Sequence, residues 1–91
     1  MIDIFGTKYK IKEKDSIIYE GIVADGLIDF RNHTIYLVKS LKKKDKLRVL
    51  YHEMGHGIIH ETGLDQSISL EVEEILVQNF AKFFANYKGG K

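Results

Sequence analysis

The chain has 91 residues and a mass of 10.5 kDa, with 44% apolar and 30% charged side chains. That composition suits one folded unit over residues 1–91 and argues against a disordered chain. Lys and Arg number 14 against 13 Asp and Glu, and a net charge of +1 gives no global electrostatic reason to expect nucleic acid or an anionic membrane as the main partner.

Cysteine and proline are both absent. The first absence rules out a disulfide framework, a cysteine nucleophile, thiolate zinc sites and iron–sulfur clusters. The second leaves nothing to kink a helix or stiffen a linker. The longest apolar runs, such as Ile35 to Val38, stop at four residues, far short of a membrane span. The opening Met1-Ile2-Asp3-Ile4-Phe5 lacks the basic and apolar regions of a secretory signal, so the expected location is the cytoplasm.

From the N-terminus to about Val38 the rhythm is strand-like, with β-branched and aromatic residues between turn signals. Four extended segments are expected, at Thr7–Glu13, Ser16–Val23, Leu27–Arg31 and Thr34–Val38, as an antiparallel meander of three or four strands. Asp15-Ser16 and Asp25-Gly26 carry turn chemistry, and Asn32-His33 reads as a two-residue hairpin loop. Ile28, Phe30, Ile35 and Leu37 can share one buried face.

After about Lys44 the period becomes helical. The spacing predicts a first helix from Asp45, as N-cap, to Thr62, with Gly63 just past its end. Leu47, Leu50, Met54 and Ile58 form its apolar stripe. A second helix is predicted from Ser67 or Ser69, with Glu71, Glu73 and Glu74 in its early turns, where the helix dipole favours acids. It carries a bulky stripe of Val72, Leu76, Phe80, Phe83 and Tyr87 and a small-residue stripe of Val77, Ala81 and Ala85 that lets another helix approach. Gly89-Gly90-Lys91 reads as a frayed tail. The expected fold is therefore α+β, a small antiparallel sheet followed by two packed helices.

His52-Glu53-Met54-Gly55-His56 is an H-E-x-x-H within the first helix. Residues four apart lie on one helix face about 6 Å apart, so two imidazoles can converge on one metal ion. Glu53 is turned by about 100° from His52 and can take a proton from a water at that ion. These donors suit Zn²⁺, which needs a third protein ligand and an open position for catalysis. Gly55 and Gly57 flank His56, although each mid-helix glycine costs on the order of 1 kcal/mol against alanine. They admit a passing strand or peptide, or tight helix packing.

His60 lies about 12 Å along the axis from His52, too far to share one ion, and reads as a surface or outer histidine. The acidic start of the second helix is the better source of a third ligand. Glu74 shares the face of Val77, Gln78, Ala81 and Ala85 and is favoured; Glu71 is second, and Glu73 is expected to point toward the bulky side. The plain alternative is that all three acids cap and solubilise the helix start.

The run His52-Glu53-Met54-Gly55-His56-Gly57-Ile58-Ile59-His60, followed by Glu74-Ile75-Leu76-Val77-Gln78-Asn79-Phe80-Ala81, resembles the ImmA/IrrE type of zinc metallopeptidase, a family of phages, mobile elements and bacterial stress switches. The likeness spans roughly residues 21–85 and is concentrated at the metal motif. It places Glu74 on the family's third-ligand glutamate and Phe80-Ala81 on its Phe-Ala pair, with Val77 and Gln78 where alanine and asparagine are usual. Against longer members of that family, which continue past the second helix, the expectation is a minimal catalytic core, with a partner as one way for it to meet its substrate.

The resemblance implies a zinc peptidase acting on a protein or peptide, with a helix-turn-helix repressor of phage type as the expected substrate. His52, His56 and Glu74 would hold Zn²⁺ and Glu53 would act as general base. Tyr51, His33, His60 and Tyr87 are the candidates for a further oxyanion donor. Two other readings stand beside it. The basic run Lys39, Lys42, Lys43, Lys44, Lys46 and Arg48 would suit a nucleic-acid module, but the near-neutral net charge favours a solvated helix start. A metal-binding but inactive interaction module would use the same ligands. A monomer or weak oligomer is expected.

Overall fold

The structure is a computed structural model that describes residues 1–87. The expected Gly89-Gly90-Lys91 tail lies outside the described residues. The architecture is α+β, with six strands followed by two helices among the described residues. The strands are β1 (Ile2–Ile4), β2 (Thr7–Lys14), β3 (Ile17–Tyr19), β4 (Ile22–Ala24), β5 (Gly26–Asp29) and β6 (Thr34–Val38). The helices are α1 (Lys43–Glu61) and α2 (Leu70–Asn86), joined through a 3₁₀ turn at Leu64–Gln66.

The sheet is mixed rather than the expected antiparallel meander. Its order is β1-β2-β6-β5, and β3 and β4 form a separate two-stranded hairpin. β1 and β5 pair antiparallel with β2 and β6, but β2 and β6 run parallel, with Ile11 opposite Ile35 and Glu13 opposite Leu37. Alternation along a strand shows which face is buried and says nothing of which strand lies alongside. That is why the parallel pair has no signature in the sequence.

Local chemistry explains the remaining differences in the first half. β1 is only three residues long and turns back through Phe5-Gly6, whose φ angles of 50° and 92° are left-handed. The Asp3 carboxylate accepts the Gly6 N–H at 2.7 Å. The expected strand Ser16–Val23 is broken at Glu20-Gly21, with φ of 51° and 78°, into the β3–β4 hairpin. The loop into β6 is longer than the two residues expected, because the Asp29 carboxylate binds the Asn32 backbone N–H and side chain and holds Phe30–His33 outside the ladder.

α1 begins at Lys43, before the expected Asp45; Lys42 takes the cap position without a side-chain bond, and Asp45 sits in the first turn. Lys46 there is paired, bonding Glu13 of β2 at 2.8 Å and the Lys39 carbonyl at 3.1 Å. Gly63 ends α1 in the left-handed conformation, φ 75°, as expected. Ser69 is the α2 N-cap, its hydroxyl accepting the Val72 N–H.

The core comprises Ile4, Tyr9, Ile35 and Leu37 from the sheet with Val49 from α1, and Ile28 and Phe30 pack on it. α1 is buried on two sides, which displaces the expected single stripe. Its buried residues are Val49, Glu53, Gly55, Gly57 and Ile59, while Leu47 is exposed and Leu50, Met54 and Ile58 are half-buried. A Cβ on Gly57 would meet Ile4 Cδ1 at 2.7 Å, so this glycine seats the helix on the sheet. On α2 the small stripe faces inward, with Val77 and Ala81 buried, and the bulky stripe of Val72, Leu76, Phe83 and Tyr87 faces outward. Among the described residues no helix is long and apolar enough to cross a membrane.

Candidate metal centre

The middle of α1 carries His52, Glu53 and His56, and α2 crosses it so that Glu74 reaches both histidines. Gly55 makes this crossing close: a Cβ there would lie 3.1 Å from Val77 Cγ1 and 3.3 Å from Phe80 Cδ2. Val77 is one turn beyond Glu74 on α2, so the spacing set at Gly55 also sets how far the Glu74 carboxylate extends.

His52 Nε2 lies 3.7 Å from Glu74 Oε2, and His56 Nε2 lies 3.0 Å from Glu74 Oε1. The ligand atoms of His52, His56 and Glu74 all fall within 4.8 Å of one another, and this group can hold a metal ion. Two imidazole nitrogens and a carboxylate oxygen are donors that several divalent ions accept. The imidazoles are largely buried and the carboxylate is half-exposed.

The other acids of α2 divide differently from expectation. Glu71 is exposed and outside the group. Glu73 does not turn toward the bulky outer side. It shares the i, i+4, i+7 row of Val77 and Phe80, the row that meets α1, and its carboxylate approaches His56 Nδ1 at 2.6 Å. Consecutive glutamates thus take opposite nitrogens of one imidazole. His60 is exposed, with its ring stacked on Phe30 at 4.0 Å and Nδ1 3.8 Å from Asp65, away from the metal group.

Burial governs the electrostatics. It pushes the Glu53 carboxyl up to about 7; neighbouring His56 opposes that rise and Glu74 adds to it. Burial also holds the His52 imidazole below its ordinary value, with His56 and Arg48 acting in the same direction and Glu74 against them. The shift favours the neutral imidazole, the form that can ligate.

A cleft of about 260 Å³ opens beside this group, lined by Ala24, Asp25, Gly26, Arg48, Val49, His52 and Glu53. On the other flank of His52 a second hollow of about 230 Å³ is lined by Arg48, Gln78, Ala81 and Lys82. None of the four expected oxyanion donors lines either hollow. Each is held by another ring instead: Tyr51 by Phe80 and Phe84, His33 by Tyr9, His60 by Phe30 and Tyr87 by Phe83. Arg48 lines both hollows.

Reasoning from sequence missed Gly26, Asp25, Arg48 and Glu73. Gly26 forms the floor under Glu53, since a Cβ there would strike Val49 Cγ1 at 2.5 Å and approach Glu53 Cγ at 3.4 Å. Asp25-Gly26 looks like an ordinary turn until the helix is laid over it. Arg48, four residues before His52, carried a signal in its i, i+4 spacing, but the lysine run around it hid that. No protein family, curated protein or solved structure matches the chain.

Proposed function

We propose that the chain is a zinc-dependent peptide hydrolase of the ImmA/IrrE type. The reading rests on one observation: three convergent ligand atoms of His52, His56 and Glu74 adjoin a buried carboxyl, Glu53, raised to about 7. Zinc, when bound, acts as a Lewis acid toward the scissile carbonyl and acidifies water. Glu53 takes the proton of the attacking water and passes it to the departing amine, a role suited to a group that titrates near the working pH. Arg48 is the cation best placed in the cleft to orient a substrate carbonyl or carboxylate.

The family resemblance supports a helix-turn-helix repressor of phage type as the substrate. The test is elemental analysis of the purified chain alongside incubation with such repressors. Stoichiometric zinc with cleavage that disappears in Glu53→Gln is the expected result. A chain that binds zinc but cleaves nothing would make the centre structural, and one that binds none would remove the proposal altogether.

A further inference from the structure

Glu73 sits next to the proposed third ligand, yet its carboxylate is directed away from the other donors. It meets His56 at Nδ1, 2.6 Å away, while Glu74 meets the same ring at Nε2, 3.0 Å away. The Glu73 side chain is 13% exposed and that of His56 17%, against 50% for Glu74. A glutamate that served only to solubilise the start of α2 would face water, as Glu71 does. His52 has no corresponding carboxylate on its other nitrogen among the described residues.

We infer that Glu73 is the positioning residue of the metal centre: its carboxylate holds the His56 proton on Nδ1 and turns the Nε2 lone pair toward the point shared by His52 and Glu74. This rests on the metal-centre reading above. A neutral imidazole carries one proton, and whichever nitrogen holds it cannot ligate. A carboxylate can only accept, so at 2.6 Å Glu73 keeps a proton on Nδ1, and Nε2, which faces Glu74 and His52, is the nitrogen left to a metal ion. The same bond fixes the ring's rotation about χ2, which would otherwise be broad and cost entropy on binding. Two adjacent residues of one helix divide the work, Glu74 as ligand and Glu73 as the partner that orients a ligand.

A purely structural role, as a link between α1 and α2, makes different forecasts, and one experiment separates them. Imidazole ¹⁵N–¹H spectra of the metal-free chain report the His56 tautomer without any metal or activity. Zinc titration of the same samples reports affinity, and thermal denaturation reports stability. The parent chain should show His56 protonated on Nδ1. Glu73→Ala should lose that preference and bind zinc 10- to 100-fold more weakly, and Glu73→Gln, whose amide oxygen still accepts, should keep the tautomer and lose only a few-fold. A His56 whose Nδ1 carries no proton in the parent chain, or a Glu73→Ala variant that binds zinc with unchanged affinity, would overturn the inference. A parent chain with the Nδ1–H tautomer and no zinc binding would sink the proposed function while leaving the Glu73–His56 pairing in place.

Discussion

The Tyr9 hydroxyl donates a 2.7 Å hydrogen bond to Glu61 Oε2, joining the centre of the sheet to the last residue of the helix that carries the site. Thr7 donates to the other oxygen of the same carboxylate at 2.8 Å. The two bonds pin the end of α1 to β2, and with Gly57 on Ile4 they set how the helix lies over the sheet.

This tether has a pH signature. The bond from Tyr9, and after it the bond from Thr7, hold the Glu61 carboxyl below its ordinary 4.5. A lowered folded value means stability that is complete above the ordinary value and is lost as pH falls through the folded one. Tyr9 is shifted the other way, by burial first and then by Glu61, so its contribution is complete below about 10 and declines at higher pH. Thermal midpoints measured from pH 2 to 7 should show a shallower acid decline in Glu61→Gln than in the parent chain. Tyr9→Phe should cost about 1 kcal/mol at pH 7.

The glycines of α1 make separable predictions. Gly55→Ala gains up to about 1 kcal/mol of helix propensity but presses on Val77 and Phe80 at 3.1–3.3 Å. Its stability should stay near that of the parent while metal affinity falls, because Val77 and Glu74 move together. Gly57→Leu has no room against Ile4 and Ile28 and should cost about 1–3 kcal/mol. Denaturation and zinc titration of both variants check this; an unchanged affinity in Gly55→Ala would show that the helix spacing does not control the reach of Glu74.

Ligand substitutions should fall into two sets. His52→Ala, His56→Ala and Glu74→Ala each remove a convergent donor and should abolish measurable zinc binding. Glu71→Ala and His60→Ala leave the group intact and should bind as the parent does. Loss of the Phe30–His60 stack should cost His60→Ala only about 0.5–1.5 kcal/mol of stability. Tighter dependence on Glu71 than on Glu74 would reassign the third ligand.

Glu53 should titrate near neutrality in the metal-free chain, since burial lifts it to about 7. A bound dication favours the carboxylate and must draw that value down. The carboxyl ¹³C shift of Glu53 should therefore show a midpoint near 7 without metal and a lower one with it. Hydrolysis, which needs both metal and the ionised base, should fall off on the acid side as pH drops through that lower, metal-bound midpoint. Glu53→Gln should keep zinc and lose turnover.

The spacing of His52 and His56, their place on one helix, the N-cap at Ser69 and the stop at Gly63 were all legible in the chain, because each depends on residues within one or two turns. The small stripe of Val77 and Ala81 likewise announced a helix contact, and that contact is where Glu74 meets the histidines. Glu73 was misread because helix phase alone cannot say on which side of α2 the partner helix crosses. The crossing lies between the rows of Glu73 and Glu74, so both acids reach His56.

By itself the sequence determined the helical frame of the candidate centre and its paired histidines, which follow from the 3.6-residue period and from side-chain chemistry. The parallel pairing of β2 with β6, the glycine floor at Gly26 beneath Glu53 and the placement of Glu73 and Glu74 on opposite nitrogens of His56 were decided only in three dimensions. They depend on which surfaces come into contact, and contacts between distant segments are set by close packing of the whole core rather than by any local pattern.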